Sequence, residues 1–130
     1  MERVSLTDRE PSEAADGVHL ALLAGTDSMN VQHFEIEPGA VVEEHSHPHE
    51  QTGYICAGEL TFLVDGDDRD ASGGRQSAGP DGRKEIVCGP GDSYAIPGGQ
   101  PHAAENRGDE VVRGVDIFSP PRENPNWRGE

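Results

Sequence analysis

The chain has 130 residues, which is enough for one domain with a single hydrophobic core. Hydrophobic residues make up 32% of it, and the 17 glycines and 10 prolines favour a β-rich fold with many turns over a helical bundle. The 25 acidic and 10 basic residues give a formal net charge of -15, which argues against binding to nucleic acid or to an anionic membrane, because both need a basic surface.

Short segments with a hydrophobic period of two follow one another along the chain, and each predicts a β-strand. In chain order the predicted strands are Val18–Leu23, Val31–Ile36, Ala40–His45, Gln51–Ala57, Glu59–Val64, Glu85–Cys88, Ser93–Ile96, Ala103–Asn106 and Val111–Phe118. Turn sequences rich in glycine and proline separate them. No segment predicts an amphipathic helix of useful length, so we expect less than about a tenth of the chain in helix. Many short strands joined by turns indicate a sandwich or a barrel.

Two polar segments lie outside this strand pattern. We expect residues 1–16 either to be partly loose or to add an edge strand in a homodimer, with a single domain over residues 17–130. Residues 65–84 are rich in glycine, aspartate, serine and arginine, and they predict a long solvated hairpin loop. The alternative for this loop is a lid over the mouth of a cavity.

The charged residues also indicate the conditions in which the protein works. Lys84 is the only lysine among the 10 basic residues, a composition that resembles haloarchaeal proteins. We therefore expect adaptation to high salt, where carboxylates hold hydration and screening weakens their mutual repulsion. The plainer alternative is a moderately acidic cytosolic protein. No apolar run approaches the ~20 residues that span a membrane. The amino terminus lacks the regions of a signal peptide, so the expected location is the cytoplasm.

The two cysteines, Cys56 and Cys88, form no CxxC motif. In the cytosol, isolated cysteines are most often reduced and behave as small hydrophobic residues. We expect this of Cys56, which lies in a strand predicted to be buried. A disulfide between the two cysteines is the alternative.

Two histidine-containing stretches, one on each side of the polar loop, predict a metal site. His45 and His47 are two residues apart, which on a strand places both imidazoles on one face. A strand after the tight turn can return Gln51 to that face, and His102 then closes the site. Imidazole and amide groups suit a divalent ion, so we expect one ion of Zn, Ni, Fe or Mn about 2.0 to 2.3 Å from these four ligands.

The remaining histidines are given other roles. His49 follows the ligand pair, and we expect it in a turn at the rim of the site or in contact with a ligand. His19 and His33 lie outside both stretches and are expected to be structural.

Both stretches resemble the two sequence motifs of the cupin superfamily. The positions that match, in order, are Gly39, His45, His47, Gly58, Gly91, Pro97, Gly99, His102 and Asn106. The resemblance implies an all-β fold, the double-stranded β-helix jelly-roll barrel of cupins. Gln51 stands at the position of the motif's glutamate. It removes one negative charge from the ligands and makes a bound metal ion a stronger Lewis acid.

The last predicted strand places an aspartate among apolar residues. Strand alternation puts Asp116 on the same face as Val112 and Phe118. A carboxylate there is expensive unless it is paired or used in chemistry. The pattern is compatible with two roles for Asp116, a salt bridge to a nearby arginine or catalysis.

The segment from Asp116 to Arg122 resembles the C-terminal signature of small cupins of unsaturated-uronate catabolism, which act downstream of pectin and alginate lyases. Members of that family hold their metal with His, His, Gln and His. The resemblance implies ring opening of 4,5-unsaturated monouronates, which are sugar acids, to linear 5-keto-4-deoxyuronates. It also implies an active site in which Asp116 moves protons, Arg122 binds the substrate carboxylate and Phe118 walls the pocket. The alternatives are a metal-dependent cupin dioxygenase and a cupin that binds a metal or a small molecule without catalysis. Cupins commonly dimerise by sheet extension, which implies a homodimer.

Overall fold

The computed structural model describes residues 1–64, 76–78 and 83–122. In this part of the chain a single turn of 3-10 helix, Leu6–Asp8, precedes eleven strands. The strands are β1 Ser12–Ala15, β2 Val18–Gly25, β3 Asn30–Ile36, β4 Val41–His45, β5 Glu50–Ala57, β6 Leu60–Val64, β7 Gln76–Ala78, β8 Lys84–Cys88, β9 Ser93–Ile96, β10 His102–Glu105 and β11 Val112–Ser119. The predicted all-β fold is confirmed.

The strands form two antiparallel sheets. One has six strands in the order β1-β2-β3-β11-β5-β9, and the other has five in the order β4-β10-β6-β8-β7. From β3 to β6, and again from β8 to β11, each strand lies in the sheet opposite to that of the strand before it. This alternation is the jelly-roll arrangement, and it brings residues from distant parts of the chain onto two facing inner surfaces.

The hydrophobic core lies between the two sheets. Along β3 and β11 every second side chain is buried, as the period of two predicts. The core cluster includes Phe34 and Ile36 from β3, Ile55 from β5, Phe62 from β6 and Val112 from β11. Burying each such side chain contributes roughly 1.5 to 3 kcal/mol relative to leaving it exposed.

Two strands lie in segments that were predicted to be loops or loose chain. β1 falls within residues 1–16 and pairs with β2, so this segment supplies an edge strand to the sheet of its own chain. β7 falls within the predicted loop 65–84 and pairs with β8, which begins at Lys84. Residues 65–75 and 79–82 lie outside the described residues, as does any lid that they form.

The predicted burial of Cys56 is wrong. β5 directs Gln51, Gly53 and Ile55 inward, so Cys56 lies on the outer face and is exposed, whereas Cys88 is buried. Both cysteines are free thiols, so the alternative of a disulfide between them is also wrong. Among the described residues, no helix has the length and apolar character needed to cross a membrane.

Candidate metal centre

The histidines of the two stretches meet at one end of the barrel. His45 ends β4 and His102 begins β10, and the two residues are paired across these neighbouring strands. His47 lies in the turn that follows β4, and Gln51 points inward from β5 in the opposite sheet. The site therefore joins the two sheets.

Backbone hydrogen bonds hold the two stretches together. The N–H of Gly99 donates to the carbonyl of His47 at 2.8 Å, which ties the β9–β10 turn to the turn between β4 and β5. At the other end of β10, the Asn106 side chain donates to the carbonyl of Ile36 at 2.8 Å, and its backbone N–H donates to Ala40. Glycine suits position 99 because its backbone has a φ of 82°, and asparagine suits position 106 because its side-chain amide makes the bond to Ile36.

The ligand nitrogens of His45, His47 and His102 all lie within 4.8 Å of one another, a separation at which the three can bind one metal ion. The centroids of the His45 and His102 rings are 4.4 Å apart, and those of His47 and His102 are 5.2 Å apart. The structure thus brings together the three histidines that the sequence predicts as ligands.

Each of these imidazoles is oriented by a backbone carbonyl. The Nδ1 atoms of His45, His47 and His102 lie 2.9, 3.1 and 2.9 Å from the carbonyl oxygens of Glu43, His49 and Gln100. Because a carbonyl oxygen only accepts, each Nδ1 carries a proton and donates it. The neutral ring then has its lone pair on Nε2, the atom left to bind a metal ion.

Burial keeps two of these histidines neutral. Desolvation lowers the pKa of His102 to about 4, and desolvation with the nearby charge of Arg122 lowers the pKa of His47 below its usual range. A metal ion binds only the neutral imidazole, so near neutral pH these two rings are in the state that binding requires.

The amide of Gln51 faces the same space. Its Oε1 lies 3.1 Å from Nε2 of His47, and the amide also hydrogen-bonds the carboxylate of Asp116. A carboxylate accepts, so Gln51 donates its NH2 group to Asp116 and directs its oxygen towards His47. Two lone pairs that face each other at this distance suit a shared cation, so the donor set fits a divalent ion. Direct ligation by Gln51 remains a prediction.

Asp116 lies beside this centre, on the inner face of β11, where 7% of its surface is exposed. Burial raises the pKa of its carboxyl to about 6, while hydrogen bonds from Tyr94 and Gln51 and the charge of Arg122 act in the opposite direction. The aspartate on the apolar face is thus paired with two neutral hydrogen-bond donors.

Tyr94 reaches Asp116 across an intervening strand. Gly53 is paired with Tyr94 of β9 on one side and with Asp116 of β11 on the other. A Cβ atom at Gly53 would lie 2.1 Å from Cζ of Tyr94 and 2.5 Å from Oδ1 of Asp116. Only glycine leaves the space in which the Tyr94 hydroxyl donates to Oδ1 of Asp116. Burial, and then the charge of Asp116, raise the pKa of Tyr94 far above its usual range, so the hydroxyl keeps its proton.

Phe118 and Arg122 complete this wall. Phe118 is buried and meets the His47 ring edge-on at 5.7 Å between centroids. The guanidinium carbon of Arg122 lies 5.2 Å from the centre of the Phe118 ring, a cation–π contact. Asn30 fixes the backbone of Arg122 at two points, accepting from its N–H at 3.0 Å and donating to its carbonyl at 3.2 Å.

These residues line one open cavity of about 1260 Å³ between the sheets. Its polar lining includes the metal-centre histidines together with Gln32, Gln51, Tyr94, Asp116 and Arg122. The cavity is larger than the roughly 300 to 1,000 Å³ of typical small-molecule pockets, so it has room for a small molecule beside the histidines.

The family model described as "Cupin domain" matches residues 32–80 and 78–118. The chain belongs to the cupin family.

Similar solved structures include KdgF from a Halomonas species, with a TM-score of 0.74 and 20% identity over 95% of this chain and 96% of that one. A RmlC-like cupin from Shewanella frigidimarina has a TM-score of 0.72 and 24% identity over 95% and 96% of the two chains. The polyketide cyclase RemF from Streptomyces resistomycificus has a TM-score of 0.70 and 22% identity over 96% and 82%. At these identities the likeness concerns the fold. No curated protein matches the sequence significantly.

Histidines outside the metal centre of this cupin have separate partners. His19 contacts Glu37 at 2.6 Å, and His33 contacts Glu35 at 3.0 Å, in agreement with structural roles. His49 lies beside Phe118 at the cavity, with 6.2 Å between ring centroids, which agrees with the expected rim position.

Two residues at the cavity of this cupin were not identified from the sequence: Gln32 and Tyr94. Both carry a polar group on the inward face of a predicted strand, which is the signal that identified Asp116. Asn30, which fixes Arg122, was also missed, because the predicted strand began one residue later, at Val31.

Proposed function

We propose that this cupin is a metal-dependent enzyme that converts 4,5-unsaturated monouronates into linear 5-keto-4-deoxyuronates. The main support is the environment of Asp116, a buried carboxyl that accepts hydrogen bonds from Tyr94 and Gln51 next to three histidines able to hold a metal ion. The resemblance of the segment from Asp116 to Arg122 to small cupins of unsaturated-uronate catabolism supplies the substrate class.

Asp116 moves the protons in the proposed reaction. The Asp116 carboxylate removes the proton from the anomeric hydroxyl. The bond between C1 and the ring oxygen then breaks, and the electron pair of that bond goes to the ring oxygen, which leaves as an enolate. Return of a proton to C4 then gives the ketone at C5. The reaction is an isomerisation, so it balances without a co-reactant. Tyr94 and Gln51 hold the carboxyl in a fixed orientation while it gives and takes the proton.

His45, His47 and His102, with Gln51 as the fourth ligand, would hold the metal ion. A divalent ion held by these residues would supply Lewis acidity, which would stabilise negative charge on the leaving ring oxygen.

Arg122 binds the substrate carboxylate. Its guanidinium lies against Phe118 and its backbone is fixed by Asn30, so the planar fork is oriented before substrate arrives. Phe118 forms the apolar wall against which the sugar ring lies. The positively charged Arg122 thus binds the substrate carboxylate, and Asp116 transfers the protons. Both residues lie on the same wall of the cavity.

The test is an assay with metal-loaded protein and a 4,5-unsaturated monouronate near neutral pH in high salt. Loss of the absorbance of the conjugated double bond should be faster with the protein than without it. The Asp116→Asn variant with full metal content serves as the control for metal-catalysed decay. Equal decay with and without protein contradicts the proposal. Oxygen consumption would then favour a cupin dioxygenase, and retention of metal without either activity would favour a binding protein.

The proposal includes a homodimer adapted to high salt. Within the described residues β1 pairs on one side only, with β2, so its other edge can extend the sheet of a second copy. Light scattering in molar salt tests the dimer, and a monomeric mass contradicts it. Stability that rises with salt concentration is the expected sign of the acidic composition.

A further inference from the structure

One polar side chain at the cavity has a buried atom without a partner. Gln32 lies on the inner face of β3 with 4% of its surface exposed, and it lines the cavity. Its Oε1 atom is buried and has no hydrogen-bond partner among the residues that the structure describes. Leaving a buried amide oxygen unpaired is costly, and buried polar groups in native proteins are nearly always satisfied.

The position of Gln32 relates it to the proposed reaction. Gln32 is paired with Asp116 in the register of β3 and β11, and Asp116 is paired in turn with Gly53 of β5. The side chains of Gln32, Asp116 and Tyr94 therefore form one layer across the sheet, on the face that lines the cavity.

Asn30, two residues earlier on the same face, provides a comparison. Its amide has both of its groups paired, with the backbone N–H and carbonyl of Arg122. The fold thus satisfies one of the two neighbouring inward-facing amides of β3 and leaves an oxygen of the other unpaired. A ligand in the cavity can supply the missing donor.

We propose that the Gln32 amide binds a ring hydroxyl of the sugar-acid substrate, which makes Gln32 a specificity-determining residue. This inference rests on the proposed function for its substrate class. A hydroxyl both donates and accepts, so it can pair with either end of the amide, whose terminal torsion is soft. A carboxylate only accepts, and Arg122 is the group that binds it. Gln32 and Arg122 together then select a ring that carries both a carboxylate and hydroxyls.

The test uses two ligands that do not react, so that it does not depend on ring opening. D-Glucuronate carries the ring, the carboxylate and the hydroxyls, and tetrahydropyran-2-carboxylate carries the ring and the carboxylate alone. Their affinities for metal-loaded wild-type protein and for Gln32→Met are measured by calorimetry. Methionine has a similar length and no amide. Val31→Met, on the outer face of the same strand, is the matched control.

In the wild-type protein glucuronate should bind more tightly than the bare ring acid. Gln32→Met should weaken glucuronate binding by about tenfold and leave the bare ring acid within about twofold, because only the hydroxyl contact is lost. Equal losses for both ligands, no change for either, or no glucuronate binding by wild-type protein would each overturn the inference. The second of these results would mean that an ordered water satisfies Oε1.

A second variant guards against misfolding. If Gln32→Met does not fold, as judged by its melting temperature, Gln32→Asn retains the amide but shortens the side chain. It should show the same selective loss for glucuronate. Failure of the proposed function has a separate sign, which is the absence of turnover of unsaturated monouronates by the wild-type protein.

Discussion

The Tyr94 hydroxyl donates a hydrogen bond to the carboxylate of Asp116, although their strands are not neighbours. β5 lies between β9 and β11, and the contact is possible because Gly53, the residue of β5 between them, has no side chain. The orientation of Asp116, the proposed acid and base, therefore depends on the absence of a side chain at Gly53, in the strand between Asp116 and Tyr94.

Replacing Gly53 by alanine should disrupt this contact. The added methyl group would overlap Tyr94, so we expect a loss of stability of roughly 1 to 3 kcal/mol and a lower kcat. Gly108→Ala is the control, because a Cβ atom there meets its nearest neighbour, Asn106, at 3.6 Å. Thermal unfolding and the ring-opening assay measure the two effects. Wild-type stability in Gly53→Ala would show that the sheet can move apart at this point.

Replacing Asp116 by asparagine should lower kcat by at least about 100-fold, because the amide keeps the size of the side chain but cannot take up the proton. Metal content should not change, since Asp116 is not itself a proposed ligand and the Oδ1 atom of asparagine can still accept the hydrogen bond from Gln51. Metal analysis together with single-turnover kinetics separates the two effects. Wild-type turnover in this variant would remove Asp116 from the mechanism.

Replacing Arg122 by lysine should mainly raise KM. Lysine keeps the positive charge but loses the planar fork and its stacking on Phe118, so the substrate carboxylate is held less well. Steady-state kinetics distinguish this result from a general loss of structure, which would lower kcat as well. A fall in kcat with an unchanged KM would assign Arg122 to the chemical step instead.

Replacing His47 and His102 together by alanine should abolish metal binding, since two of the three converging imidazoles are lost. A metal ion at one hundred times its Kd adds about 2.7 kcal/mol to the stability of the folded protein. The wild-type melting temperature should therefore rise with added metal, and that of the double variant should not. A fully occupied site in the double variant would contradict the ligand assignment.

The contact of His19 with Glu37 predicts a pH-dependent contribution to stability. The hydrogen bond to Glu37 raises the pKa of His19, so the folded state binds this proton more tightly than the unfolded state does. The contribution of this contact to stability is complete below a pH of about 6.5, the pKa of histidine in the unfolded state. It is lost as the pH rises through the higher pKa of His19 in the folded state. His19→Gln should lower the melting temperature more at pH 5.5 to 6 than at pH 9. An equal decrease at both values would show that the ion pair contributes nothing.

The sequence predicts the strands and ligands whose signals are local. The nine predicted strands correspond to β2 to β6 and β8 to β11, because each is a short alternating or apolar segment bounded by turn residues. β1 and β7 lack that pattern, and their pairing with β2 and β8 creates them. The prediction for Cys56 failed because a strand with one buried face was treated as buried on both.

The roles of Tyr94 and Gln32 depend on information that a local pattern does not contain. Strand alternation directs both side chains inward, but their relation to Asp116 arises from the register of three strand pairs that are distant in sequence. The pairing of His45 with His102 has the same origin. The two histidine stretches predicted that these residues meet at one site, but not the strand pairing that brings them together.

Each histidine of the metal centre is oriented by a carbonyl only two residues away in its own segment, at Glu43, His49 and Gln100. The direction of every ring is therefore encoded within its own strand end or turn, independently of the other two. Once the barrel closes, the three Nε2 atoms already point into a common space, and no side chain has to turn to receive an ion. Uptake of the metal by the folded protein should then be limited by the loss of water from the ion, and its rate should follow the water-exchange rates of different metals.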